Sequence, residues 1–242
     1  MSGRDYSKLA NGWEFIEDTA YDNESDLLHE LRRQALDAGF EQGSAAQARF
    51  MAIQVRQIRA RSVIILGTGA LVETVHLIGA LNAMSADTPG QLTAVDSSAQ
   101  GTILIRKAFN RMQDHTHVKL RVVNAKADVF LPRLNPGDYD MVIVTGDEQN
   151  YSGAFDHAYR LLRRDGVLML CDALALHNGA GANPSSRSQA EESGQEHNGQ
   201  HQSGQHDRTL TMCQLIDDAF DDERFDSALI PVGTGMILSI KR

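Results

Sequence analysis

The sequence predicts an α/β fold, a doubly wound parallel sheet, and three observations carry that expectation. Short β-branched apolar runs alternate with segments of helical period, the first run closes on Gly67-Thr68-Gly69, and the last two runs flank a second glycine turn, Gly233-Thr234-Gly235. Parallel strands need crossover connections, which are right-handed and lay helices over both faces of the sheet.

The elements follow in order. Residues 1–20 hold the only Trp, Trp13, among polar and acidic neighbours without a sustained period, and read as an arm that docks on a partner surface or is loose. Between 24 and 38, Leu27, Leu28, Leu31, Ala35 and Leu36 recur at three-four spacing, an amphipathic helix with Gly39 at its stop. A second helix begins at Ser44, whose hydroxyl caps it, and runs through Ala48, Met51, Val55 and Ile58. Strands at 62–66, 91–96, 118–124, 140–145 and 166–171 then alternate with helices at 70–84, 99–112, 127–134 and 155–163.

The stretch 178–208 contains no Val, Ile, Leu, Met, Phe, Trp, Tyr or Cys. It has too little apolar area to offset the entropy of ordering, so it is expected as a disordered insertion. Its His197, His201 and His206 are irregularly spaced and carry no metal pattern. Residues 210–220 read as a helix with Leu210, Cys213, Ile216 and Phe220 on one face. Runs 225–232 and 236–240 read as an antiparallel hairpin, which brings the sheet to seven strands. The organisation is thus an arm and helices over 1–60 packed on an α/β domain over 61–242.

Composition narrows the partners. The 242 residues carry 23 Lys and Arg against 32 Asp and Glu, a net charge of −9, which argues against nucleic acid and anionic membrane. No apolar run approaches the roughly 20 residues that span a bilayer, and the polar start has no apolar leader. Cys171 and Cys213 alone make neither a disulfide scaffold nor a Cys-rich zinc site. The expected compartment is the cytoplasm. Glycines at the first strand-to-helix turn let backbone approach a ligand, and the helix N-terminus after them favours an anionic group. Asp96, ending the second strand, is placed to accept hydrogen bonds from ribose hydroxyls. An α/β protein that binds nothing there can also carry these residues.

The segments 62–69, 92–96 with Arg106-Lys107-Ala108-Phe109, 125–134, 139–151 and 161–166, and the ending Pro231-Val232-Gly233-Thr234-Gly235, resemble in order and spacing one known family. It is the catechol and caffeoyl-CoA type O-methyltransferase family of class I S-adenosylmethionine-dependent enzymes. The resemblance covers the chain from about residue 38 to its C-terminus, outside the polar insertion. It implies a Rossmann-like methyltransferase fold with N-terminal helices, S-adenosylmethionine as cofactor, a small-molecule acceptor and a homodimer, against which a monomer mass by light scattering would count. It assigns the cofactor site to Gly67, Thr68, Gly69, Asp96, Ser97, Ala127, Thr145 and Asp147, with Ala127 near the adenine.

Departures from the family pattern shape the expected chemistry. Ile65 stands where the family has an acid, Leu71 where it has the last glycine of the turn, and Glu73 where a small hydroxylic residue lies near the cofactor's carboxylate. The Leu71 side chain is expected to crowd the turn. Thr145, Cys171 and Asp172 stand where the family ligates its cation, and Glu148 where it has a lysine. One hydroxyl, one soft sulfur and one carboxylate do not suit a hard divalent cation, so no metal is expected. Cys171 reads as an apolar filler. Asp147, Glu148 and His177 are within reach of the pocket but read as solvated loop residues, and no catalytic residue is assigned. The expected function is metal-independent, S-adenosylmethionine-dependent O-methyl transfer to a small molecule. The alternative is a catalytically inactive homologue, a pseudoenzyme serving as a binding or assembly module, so whether the chain is an enzyme stays open. An NAD-type oxidoreductase is weakest, because the turn lacks a third glycine.

Overall fold

A computed structural model describes residues 6–84, 87–151, 153–173 and 202–242. The elements in chain order are α1 (Tyr6–Asp22), α2 (Asp26–Asp37), α3 (Ala45–Gln57), β1 (Ser62–Gly67), α4 (Leu71–Asn82), β2 (Gln91–Asp96), α5 (Ala99–Met112) and β3 (Lys119–Asn124). They continue as α6 (Ala127–Phe130), β4 (Tyr139–Val144), α7 (Ala154–Leu161), β5 (Leu162–Leu170), α8 (Gln202–Asp221), β6 (Phe225–Ile230) and β7 (Met236–Lys241).

The seven strands form one sheet in the order β3-β2-β1-β4-β5-β7-β6. The first five pair in parallel; β7 runs antiparallel to β6, the hairpin that the Gly233-Thr234-Gly235 turn predicts, and it also pairs antiparallel with β5. Because side chains alternate across a strand, each central strand feeds two cores. Val63 and Ile65 of β1, Met141 and Ile143 of β4, and Val167 and Met169 of β5 pack with α2, α3, α4 and α5. Ile64 and Leu66, Val142 and Val144, and Leu168 and Leu170 pack on the other face with α6, α7 and α8. This is the doubly wound arrangement, and its strand order reverses between β1 and β4, the switch point beside which such sheets bind ligands.

Local signals set the helix ends. The Ser25 hydroxyl accepts from Leu28 N–H at the start of α2, Ser44 from Gln47 N–H at the start of α3, and Ser98 from Gly101 N–H at the start of α5. Gly39, φ +85°, ends the turn after α2 in the left-handed region, where glycine is free of a Cβ penalty.

Three expectations need correction. The N-terminal arm is helix α1, and it is held to the body by Glu17, whose carboxylate accepts from Ala45 N–H at 2.5 Å and from the Ser44 hydroxyl at 2.5 Å. It shows no sequence period because Trp13, Phe15 and Ile16 are exposed, Phe15 by 70%. Helix α8 starts at Gln202, inside the stretch assigned to the polar insertion, whose residues 178–201 lie outside the described residues, His197 and His201 among them. Its packed face carries Met212 and Ala219, with Phe220 turned to solvent. Among the described residues, no helix is long and apolar enough to cross a membrane.

Candidate functional site

The C-terminal ends of the strands meet in one row. Gly67 of β1 pairs with Asp96 of β2, which pairs with Asn124 of β3, while Thr145 N–H donates to Leu66 and Cys171 N–H to Val144. Over this row lies a cavity of about 930 Å³, walled by α1, the loop 41–44, the β1 turn, Thr145-Gly146, Asp172 and the hairpin Pro231-Val232-Gly233-Thr234.

The β1 turn forms as its glycines require. Gly69 adopts φ +70°, and a Cβ on it would strike the Phe40 ring. Gly67 is buried, and a Cβ there would lie 2.6 Å from the Ala70 Cβ. The Thr68 hydroxyl ties three turns together, 2.8 Å from Ser97 Oγ and donating to Asp147 Oδ2 at 2.9 Å. Gly146, φ +79°, lets the β4 turn press on the Thr68 amide.

The acid at the end of β2 is turned inward. Asp96, 1% exposed, accepts from Gly69 N–H at 2.8 Å through Oδ2 and from Ser98 N–H at 2.7 Å through Oδ1. Burial raises its carboxyl above the ordinary range, an effect that these two amides oppose and Asp147 reinforces. The α4 N-terminus is occupied as well. Gln42 Oε1 accepts from both Leu71 N–H and Val72 N–H at 3.0 Å, and its Nε2 donates to Gly69 O at 2.8 Å. These amides are the donors that a ligand carboxylate would want at a helix N-terminus.

On the other side of Thr145, Asp172 holds φ +62° and gathers three hydroxyls. Thr145 donates to its Oδ2 at 3.1 Å, Thr234 to its Oδ1 at 2.7 Å, and the Tyr151 hydroxyl lies 3.2 Å from Oδ2 and 3.0 Å from the Cys171 carbonyl. Cys171 is fully buried with its Sγ 3.9 Å from Met51 Sδ. Burial and the charges of Asp172 and Glu73 hold its thiol well above the ordinary range, so it is a neutral filler. Among the described residues no three His, Cys, Asp or Glu are placed together to hold a metal ion.

Glu73 enters the cavity from the first turn of α4. It is 3% exposed, Gly43 lies so close that a Cβ there would collide with Oε1, and Oε2 has no hydrogen-bond partner. Burial and the nearby Asp172 charge raise its carboxyl, against the opposing pull of backbone amides and Arg32. Behind it Arg32 is bound through Nε and Nη2 to Glu24, 2.7 Å each, and through Nη1 to Gly43 O at 2.8 Å.

The fold therefore brings Gly67, Thr68, Gly69, Asp96, Ser97, Thr145 and Asp147 to one edge. Ala127 is buried in the second core beside Phe130, and of the eight named residues only Thr68, Gly69 and Thr145 line the cavity. Leu71 does not crowd the turn: it is 1% exposed and points into the first core, as does Ile65. The Glu148 side chain and His177 lie outside the described residues. Phe40 and Gln42 escape the sequence reading, and Tyr151 and Thr234 are read only as parts of a segment and a turn, because contacts made across long separations leave no local pattern of a site role.

Comparison with known proteins places this geometry in a lineage. Among curated relatives, a Mycobacterium marinum protein provisionally named an O-methyltransferase is 27% identical over 219 residues, covering 90% of this chain and 86% of its own. The fold matches an O-methyltransferase of Bacillus cereus solved with S-adenosylhomocysteine, at TM-score 0.69 and 16% identity over 96% of this chain and 99% of that one. It also matches TomG of Streptomyces achromogenes, an O-methyltransferase of tomaymycin synthesis solved with S-adenosylmethionine, at TM-score 0.69 and 14% identity over 96% and 97% of the two chains. The family model described as O-methyltransferase matches residues 17–242, and the chain belongs to that family.

Proposed function

We propose that the protein is an S-adenosylmethionine-dependent O-methyltransferase that works on a small-molecule acceptor without a divalent metal at the family's usual place. The observation that carries this reading is the cavity at the β1/β4 switch point, which joins the glycine turn to Asp172 in one space. The residues present fit the cofactor's carboxylate. The Leu71 and Val72 amides already hold a side-chain oxygen, that of Gln42, and exchanging one acceptor for another leaves no donor unpaired. Thr68 and Ser97 hold hydroxyls at the same edge. When bound, S-adenosylmethionine supplies a methyl group activated on a sulfonium.

The chain's part is positioning and proton transfer. Thr145, Tyr151 and Thr234 fix the Asp172 carboxylate in the cavity wall, where it serves as the group that takes the acceptor hydroxyl's proton. A hard cation does not fit there, because the Thr145 hydroxyl is spent on Asp172 and the Cys171 sulfur is buried against Met51. In a screen of small hydroxyl compounds with chelator present, S-adenosylhomocysteine should form, and Asp172→Asn should lower its rate about a hundredfold. Turnover that requires added magnesium would contradict the proposal.

A second reading, a binding or assembly module without catalysis, draws on a different observation. Gln42, Phe40 and Asp96 satisfy the glycine turn from within, so the fold is complete with the cofactor edge closed.

A further inference from the structure

The cavity is acidic, and among the described residues its single basic lining residue is already engaged. Glu14, Glu41, Glu73 and Asp172 stand on its wall with Arg32. The Arg32 guanidinium is committed to Glu24 and to the Gly43 carbonyl, which places its charge behind the wall. Glu17 also borders the space, but its carboxylate is spent on the first amides of α3. Asp172 accepts only neutral hydroxyls, which orient its charge without cancelling it. Glu73 is the independent sign of a missing partner, since it lines the cavity and its buried Oε2 has no hydrogen-bond partner among the described residues.

Buried unpaired acceptors are rare because leaving one unsatisfied carries the full cost of desolvating it. A donor that also carries positive charge answers both faults at once. It gives Oε2 its hydrogen bond and offsets the mutual repulsion of Glu73 and Asp172. Trp13, half exposed on the rim, offers a face for the remaining apolar body. We propose that the acceptors of this enzyme carry a protonated amine, seated against Glu73 on the cavity wall, which leaves Asp172 to the acceptor hydroxyl. The proposal takes its site from the transferase reading above, while the binding it asserts needs no methyl donor.

Three phenols that share a two-carbon tail and end it in an ammonium, in hydrogen or in a carboxylate test it: tyramine, para-ethylphenol and para-hydroxyphenylpropanoate. In calorimetric titrations of the full chain without cofactor, tyramine should bind about tenfold or more tightly than para-ethylphenol, and the propanoate should not saturate. Glu73→Gln should bring tyramine to the level of para-ethylphenol, a loss larger than any change in S-adenosylhomocysteine affinity. Equal affinities for the three phenols, or no binding by any of them, overturn the proposal. So does a Glu73→Gln loss that falls on S-adenosylhomocysteine and spares tyramine, because Glu73 would then serve the cofactor's own ammonium. The parent protein's ranking of the three phenols stands even where the variant does not fold. Amine selectivity without methyl transfer would separate this proposal from the transferase reading, as would transfer without amine selectivity.

Discussion

Glu73 and Glu24 titrate in opposite senses, and the difference is that Arg32 hydrogen-bonds Glu24 and not Glu73. Burial pushes both carboxyls up, but Glu24 has Arg32 and His76 on its oxygens and is held below the ordinary carboxylate range. Glu73 is fully buried, and with the field of Asp172 this burial outweighs the pull of two backbone amides and of Arg32, so it is held above that range. The signs differ accordingly. The Glu24 contribution to stability is present above the unfolded pKa of 4.5 and is lost as pH falls through its lowered folded value. The Glu73 contribution is full below 4.5 and is lost as pH rises through its raised folded value. Glu73→Gln removes only the second effect. The melting temperature of the variant should gain on that of the parent as pH rises from about 5 to about 8. A gap that stays constant with pH would refute the assignment. The sequence shows Glu73 to be out of place, because a carboxylate stands where a hydroxyl is expected. It cannot show the orphaned Oε2, which appears only once the side chain is packed beneath the loop that holds Gly43.

At the scale of elements, one carboxylate joins two helices. Glu17 of α1 replaces water at the first amides of α3 and accepts the hydroxyl of Ser44, itself the cap of that helix. Charge at a helix N-terminus and a satisfied cap each stabilise by roughly 1 kcal/mol. Glu17→Ala should cost about 1–2 kcal/mol on the same grounds, and amide exchange should quicken over α1 while the central strands stay protected. Unchanged exchange over α1 would mean that the helix is held by something else. Helices α2 and α3 are legible because Gly39 and Ser44 mark an end of each, and buried apolar residues, Leu28 and Leu31 in α2 and Met51 and Val55 in α3, mark their faces. Helix α1 is not, since its large apolar residues face outward and its anchor is a single glutamate with no periodic signature.

The whole molecule owes its legibility to the sheet. Five β-branched runs and two glycine turns make the sheet's class and its closing hairpin legible, while the strand order, the switch point and the edge where Gly67, Asp96 and Thr145 meet come from the strand pairing itself. How that edge is used depends on contacts between segments far apart in sequence, above all Gln42 reaching Gly69, Leu71 and Val72. The account turns on whether the Leu71 and Val72 amides exchange the Gln42 oxygen for a cofactor carboxylate. Calorimetric titration of S-adenosylmethionine into the parent chain and into Gln42→Ala, each with chelator, tests this directly. The account predicts saturable binding with a Kd on the order of micromolar in the parent, tightened about tenfold once the competing oxygen is gone. Absence of saturable binding in both proteins would contradict it and leave the chain as a methyltransferase fold whose cofactor edge is closed by its own side chains.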